Sequence, residues 1–300
     1  MEKIIKTAVY QLVLNQDRQL LYSVGDKINI FDVANNFKKI KVLDDLKNPN
    51  QVFYDESLEI LIVKNTTGSF AIYNLNNYQI LRKFDLENAY STNHDFFYER
   101  DNKILYIIDT FYEENNLKNK LVLIDLKKQK IDYIPLENDK GNRVYVFYSI
   151  QKIEAQYLFL YKSIIDTNKA KVIESTYGKY TIENNNLINL EILWKSYFDF
   201  GRMKVINENY GYGYDCIVDV SQQKAYPLEK IKRRLSKIPI YNMSYYNGKL
   251  AIVTSDKIYF TEDFEHIIDT IDGEYLSCYL ETDEYKFIGS WENLKIVSKN

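Results

Sequence analysis

Between residues 197 and 214 lie Tyr197, Phe198, Phe200, Tyr210, Tyr212 and Tyr214, the densest aromatic group in the chain, with Gly211 and Gly213 set among the last three. Tyrosine combines apolar area with a hydroxyl at low entropic cost, which suits a binding surface. Glycines let a ligand or a second backbone approach closely. The group therefore fits recognition of a protein or a carbohydrate. Packing between elements is the alternative in a chain with 28 Tyr. Just beyond it runs PLEKIKRRLSKIP, from Pro227 to Pro239. Pro227 suits a first helical position and Pro239 a terminator, so a short helix is predicted. At helical spacing Leu228, Ile231 and Leu235 share one face, and Lys230, Arg233, Arg234 and Lys237 share the other. The basic face suits an acidic protein or phosphate groups, and equally a solvated surface.

Other chemistry is sparse. Carboxylates gather at Asp44-Asp45, at Asp85 with Glu87, at Glu113-Glu114 and at Glu137 with Asp139. Oxygen ligands of this kind, brought together on one face, would suit calcium. With only 2 His, a histidine metal centre is not available, and a histidine base would rest on His94 or His266 alone. His266 falls in a phrase that reads as an outer strand, which favours a structural role. No phosphate-binding GxxxxGK, no GxGxxG and no GxSxG is present. The formal net charge of −3 supplies no overall field toward nucleic acid or an anionic membrane. No run approaches the ~20 apolar residues of a membrane span. MEKIIKTAVYQLVLNQ is interrupted by polar residues before a signal-peptide core accumulates, so a cytoplasmic protein is expected. Cys216 and Cys278 fall two repeats apart, which disfavours a bridge and fits a reducing compartment. Both read as small buried hydrophobes. Abundant Lys, Asn, Ile and Tyr suggest an AT-rich bacterial genome.

The elements that must position these residues come from a recurring phrase, an apolar alternation closed by Asp, Asn or a substitute. Its copies are KINIFDV at Asp32, SFAIYNL at Asn74, KLVLIDL at Asp125, KVIES at Glu174, CIVDV at Asp219, KIYFTED at Glu262 and LKIVS at Ser298. The intervals are 42, 51, 49, 45, 43 and 36 residues, a period belonging to propeller blades or helical solenoids. Alternation with period two and enrichment in Ile, Val, Tyr and Phe make the phrases strands. Each sits within a run of four strands separated by turn residues. Gly25-Asp26 is read as a tight turn, and Asp101-Asn102 and Asn247-Gly248 as two-residue hairpins with positive φ. The last unit is one strand short, while EKIIKT near residue 2 is a strand without a partner. Pairing the two would close a ring and remove unpaired edges.

On these phrases the chain resembles a seven-bladed β-propeller of the broad WD40 or YVTN type, in architecture alone. The resemblance implies an all-β fold of four-stranded antiparallel blades, as one domain over residues 1–300. The blades would span about 8–43, 51–84, 94–136, 143–192, 197–228, 238–271, and 274–300 with 2–7. The Gly-His and Trp-Asp dipeptides of WD40 blades are absent. The fourth and fifth units depart most from the pattern, and departures are where function or strain concentrates. The leading functional expectation is a non-enzymatic, cytoplasmic protein-interaction module, an adaptor or a toxin-immunity-like protein, without a cofactor and without nucleic acid or membrane as partner. Its expected contact residues are Tyr197, Phe198, Phe200, Tyr210, Tyr212, Tyr214, Lys230, Arg233, Arg234 and Lys237. The alternative is a lactonase-like enzyme or a small-ligand or carbohydrate-binding protein with its site at a channel mouth.

Overall fold

Strands of β-branched and aromatic residues, punctuated by Asn, Asp and Gly, favour hairpins between sequence neighbours, and the described residues form little else. The computed structural model describes residues 2–85, 96–113, 116–137, 141–154, 157–196, 204–205, 210–212, 216–219, 222, 224–227, 231 and 240–299. β1 (Glu2–Lys6) has no partner among the strands that follow it directly. β2 (Gln11–Asn15), β3 (Leu20–Val24), β4 (Ile28–Asp32) and β5 (Lys38–Leu43) form an antiparallel meander. So do β6 (Pro49–Asp55), β7 (Ile60–Asn65), β8 (Ser69–Asn74) and β9 (Ile80–Asp85). The pattern continues with β10 (Phe96–Glu99), β11 (Ile104–Glu113), β12 (Asn116–Asp125) and β13 (Lys130–Pro135). Next come β14 (Arg143–Glu154), β15 (Tyr157–Asp166), β16 (Lys171–Glu183) and β17 (Asn186–Ser196), then the short β18 (Lys204–Val205), β19 (Tyr210–Tyr212), β20 (Cys216–Asp219) and β21 (Lys224–Pro227). β22 (Asn242–Tyr246), β23 (Lys249–Val253), β24 (Lys257–Thr261) and β25 (Asp269–Asp272) make a further sheet. β26 (Leu276–Glu281), β27 (Tyr285–Ser290) and β28 (Asn293–Ser298) take β1 as their fourth strand, in register from Glu2 opposite Val297 to Lys6 opposite Asn293.

The chain divides into two compact units, Met1–Asp85 with Lys230–Asn300, and Leu86–Glu229. In the first, each pair of neighbouring sheets encloses its own core. Tyr22, Ile30, Leu61 and Tyr73 fill one, and Val9, Phe31, Phe37, Phe287 and Ile296 another. A third holds Val253, Ile258, Phe260, Tyr279 and Ile288. Phe37 sits in left-handed backbone, with φ of 55°. Its buried ring meets Tyr285 edge-on at 5.1 Å and Phe287 at 5.8 Å, so packing offsets the backbone strain. In the second unit Phe97, Tyr106, Phe147, Leu160 and Tyr180 share one core.

The carboxylate or amide that closes the recurring phrase has a local task. Asp32 accepts the N–H of Asn35, Asn74 those of Asn76 and Asn77, Asp125 those of Lys127 and Lys128, and Asp219 that of Gln222. These side chains satisfy turn donors after the third strand of their sheets. Glu174 does not do this. It lies within β16, where it pairs with Lys195 at 2.5 Å, and the turn after β16 is Asn184-Asn185, with φ of 51° and 62°. The fourth sheet is longer than the pattern predicts because register shifts at several points, including Tyr177/Gly178 and Lys179/Tyr180, break its alternation. Strand β17 accordingly runs to Ser196, past the expected limit at 192.

Other differences have similar local causes. The β11–β12 hairpin extends by several residues because Thr110 and Asn119 pair through their side chains at 2.9 Å, while Asn119 also donates to the Tyr145 carbonyl at 2.8 Å. Asn247-Gly248 forms the expected turn, with φ of 46° and 79°. The Asp101-Asn102 connection is longer than two residues, and its left-handed residue is Lys103. Gly25 keeps an ordinary φ. A Cβ there would stand 2.1 Å from the Ala8 carbonyl oxygen, so close backbone approach is what requires glycine.

Candidate functional site

Most residues expected to meet a partner lie outside the described residues: Tyr197, Phe198, Phe200, Tyr214, Lys230, Arg233, Arg234 and Lys237. Tyr210 and Tyr212 flank Gly211 on β19, opposite Asp219 and Ile217, and only their backbone is described. Of the predicted helix, Ile231 alone is described, and it is buried. His94, Glu87, Glu114 and Asp139 also lie outside.

Several of the remaining candidates have structural partners. His266 is not in an outer strand, as its phrase suggested, but in the turn before β25. There its Nδ1 lies 2.6 Å from Asp263, whose carboxylate also accepts the N–H groups of Glu265 and His266. The His266 ring, then those N–H groups, hold the Asp263 carboxyl well below its ordinary range. Asp45 accepts the Tyr73 hydroxyl, Asp44 pairs with Lys27, and Glu137 pairs with Lys162. Cys278 is buried, as expected of a small hydrophobe. Among the described residues no three His, Cys, Asp or Glu side chains gather as metal ligands would.

A different surface stands out in the first unit, where the β22–β25 sheet meets the β26–β28 sheet. Trp291, about 49% exposed, occupies the turn between β27 and β28. Tyr275, about 55% exposed, occupies the connection between β25 and β26. Their rings stack with centroids 6.3 Å apart, and Tyr241 meets Trp291 edge-on at 5.8 Å. The backbone holds this ledge from several sides. Trp291 N–H donates to the Tyr275 carbonyl, and Ser290 Oγ accepts the N–H groups of Glu292 and Asn293. Gly273 and Leu276 donate to the Asp256 and Ser255 carbonyls of the preceding sheet, while Thr7 and Val9 donate to those of Glu292 and Ser290. Tyr275 itself has φ of 53°, a left-handed conformation uncommon for an aromatic residue.

Beside the ledge opens a cleft of about 250 Å³. Ile4, Ile271, Leu276 and Ile288 give it apolar walls, and Asp272, Glu274, Glu292 and Lys295 bring charge to it. Asp272 pairs with Lys257 at 2.6 Å, and Lys295 with Glu2 at 3.1 Å. The hydrogen bond and charge of Asp272 hold the Lys257 ammonium above its ordinary range. The sequence carried a signal for this surface, since both exposed rings fall inside turn chemistry, DGEY and GSWEN, rather than inside an alternation. Periodicity alone groups them with the adjoining strands.

No protein-family model matches the sequence, and neither does any curated protein. Solved structures resemble it over nearly its whole length, among them the following two. The β-propeller domain of Cps50 (Swd1) from Myceliophteria thermophila aligns with a TM-score of 0.66 at 10% identity, covering 100% of each chain. The computationally designed protein Ika8 aligns with a TM-score of 0.61 at 9% identity, covering 98% of this chain and 97% of that one. The fold is a β-propeller. At such identities the likeness concerns architecture, and the site must be argued from this propeller's own residues. In propeller terms the Trp291 ledge lies where one blade passes to the next, at the end that carries the connections between sheets.

Proposed function

We propose that this propeller is a seven-bladed ring, with β1 completing the last blade, and that it is a non-enzymatic module that binds another protein. The pairing of β1 with β28 and the full-length likeness to a propeller domain support the ring. The observation that carries the binding function is the exposed pair Tyr275 and Trp291, with the half-buried Tyr241 packed against Trp291. Stacked aromatics left in water, rimmed by polar residues and fixed by backbone hydrogen bonds, are what an interface anchor requires. A role as adaptor or toxin-immunity-like protein in the cytoplasm fits this.

Affinity capture from a native lysate tests the reading. The wild-type chain is expected to retain a stoichiometric partner. A Trp291→Ala/Tyr275→Ala double variant, folded by its circular dichroism melt, is expected to bind that partner at least tenfold more weakly, because aromatic anchors carry about 2 kcal/mol or more each. Equal capture by both proteins, or no stoichiometric partner, would overturn it.

A further inference from the structure

We propose that the cleft beside Trp291 receives a basic side chain, arginine by preference, from an extended segment of the partner protein. The inference rests on the protein-binding reading above and adds the chemistry of the bound segment. Its first support is the charge balance of the cleft. Asp272 and Lys295 are each neutralised by an ion pair of their own, with Lys257 and Glu2. Glu274 and Glu292 make no ion pair with any described residue, so the cleft carries two uncompensated carboxylates. An acidic segment or a phosphate group would meet repulsion there.

The second support is the match between walls and ligand. Lysine and arginine carry an aliphatic stem beneath a charged head, and bury the stem along apolar surface while the head stays near water. Ile4, Ile271, Leu276 and Ile288 supply such a surface, and the exposed Glu274 and Glu292 line the same cleft. The third is the neighbouring Trp291 face, since a cation held over an exposed indole is attracted by its quadrupole. Guanidinium both stacks on aromatic faces and forks onto carboxylates, which favours arginine over lysine.

Fluorescence anisotropy with labelled, terminally blocked nine-residue peptides tests this. Each probe alternates Ser with Arg, Lys, Gln or Glu. The Arg peptide is expected to bind saturably and more tightly than the Lys peptide, with no saturable binding of the Gln or Glu peptides. A Glu274→Gln/Glu292→Gln double variant should weaken it at least tenfold, as should Trp291→Ala. A Glu262→Gln/Glu265→Gln control, in an acidic turn at the opposite end of the β22–β25 sheet, should leave binding unchanged. Equal binding of the Arg and Glu peptides, equal loss in the control variant, or indifference to Trp291→Ala would each overturn the proposal. The two readings fail separately. A captured partner that depends on Trp291 but is not displaced by the Arg peptide removes the basic side chain and leaves the interaction module. Trp291-dependent Arg binding without any captured partner does the reverse.

Discussion

At Gly25 the smallest possible change meets an immovable neighbour. A methyl group there would overlap the Ala8 carbonyl, which belongs to the connection leading out of β1. Backbone on both sides leaves no flexible side chain to yield, so Gly25→Ala is expected to cost about 1–3 kcal/mol, the range for overpacking. A lowered urea midpoint with an unchanged m-value would register it. Glu281 offers a second test at this scale. Burial pushes its carboxyl upward, but Lys299 at 2.6 Å and the Tyr279 hydroxyl at 2.7 Å outweigh that and leave it below its ordinary value. A carboxyl whose pKa is lower folded than unfolded adds stability that is present above the unfolded value, near 4.3, and lost as pH falls through the folded one. Glu281→Gln should therefore cost about 1 kcal/mol at pH 7 and flatten the acid limb of stability against pH, measured by urea unfolding from pH 7 to pH 2.

At the scale of elements, the strands were legible wherever alternation and turn chemistry agreed. Asn247-Gly248 is such a place, as are the first two sheets, whose strands fall within a few residues of their phrases. The fourth sheet was not legible, because its bulges shift the alternation and Gly178 interrupts it. A Cβ at Gly178 would come within 2.9 Å of the Tyr180 ring. Glu174 looked like a closing residue only because KVIES resembles the other phrases; its strand continues to Glu183. The phrase recurs because of a turn that needs its donors satisfied, and Asn184-Asn185 meets that need differently, through two left-handed residues. The two exposed rings of the ledge were marked by their turn residues, but their meeting was not legible. Tyr275, Trp291 and Tyr241 come from three separate connections and meet only when two sheets pack.

At the scale of the whole molecule, two outer strands are rich in lysine, KKIKVL of β5 and EKIIK of β1. Lysine on an outer strand discourages edge-to-edge pairing with another chain. Strand β17 is less protected, since Ile188, Leu190 and Ile192 are all exposed along it. The last sheet depends on β1 in the same way. Removing Glu2–Lys6 would bare the edge of β28 and uncover the groups paired from Val297 to Asn293. The shortened protein is expected to melt at a lower temperature and to self-associate in size-exclusion chromatography, and a synthetic peptide of residues 1–9 should reverse both.

That pairing also sets an order of events in time. A strand at residues 2–6 must wait for its partner at residues 293–298. Ribosomes add roughly 5–20 residues per second, so the wait lasts on the order of tens of seconds. Joining positions so far apart costs roughly 5 kcal/mol of loop entropy in an unstructured chain. Sheets folded in the interval shorten that loop, which makes the blade of β26–β28 the natural last step of assembly. Until then EKIIK is an open strand, and the lysines flanking its isoleucines are what keep it from finding the wrong edge.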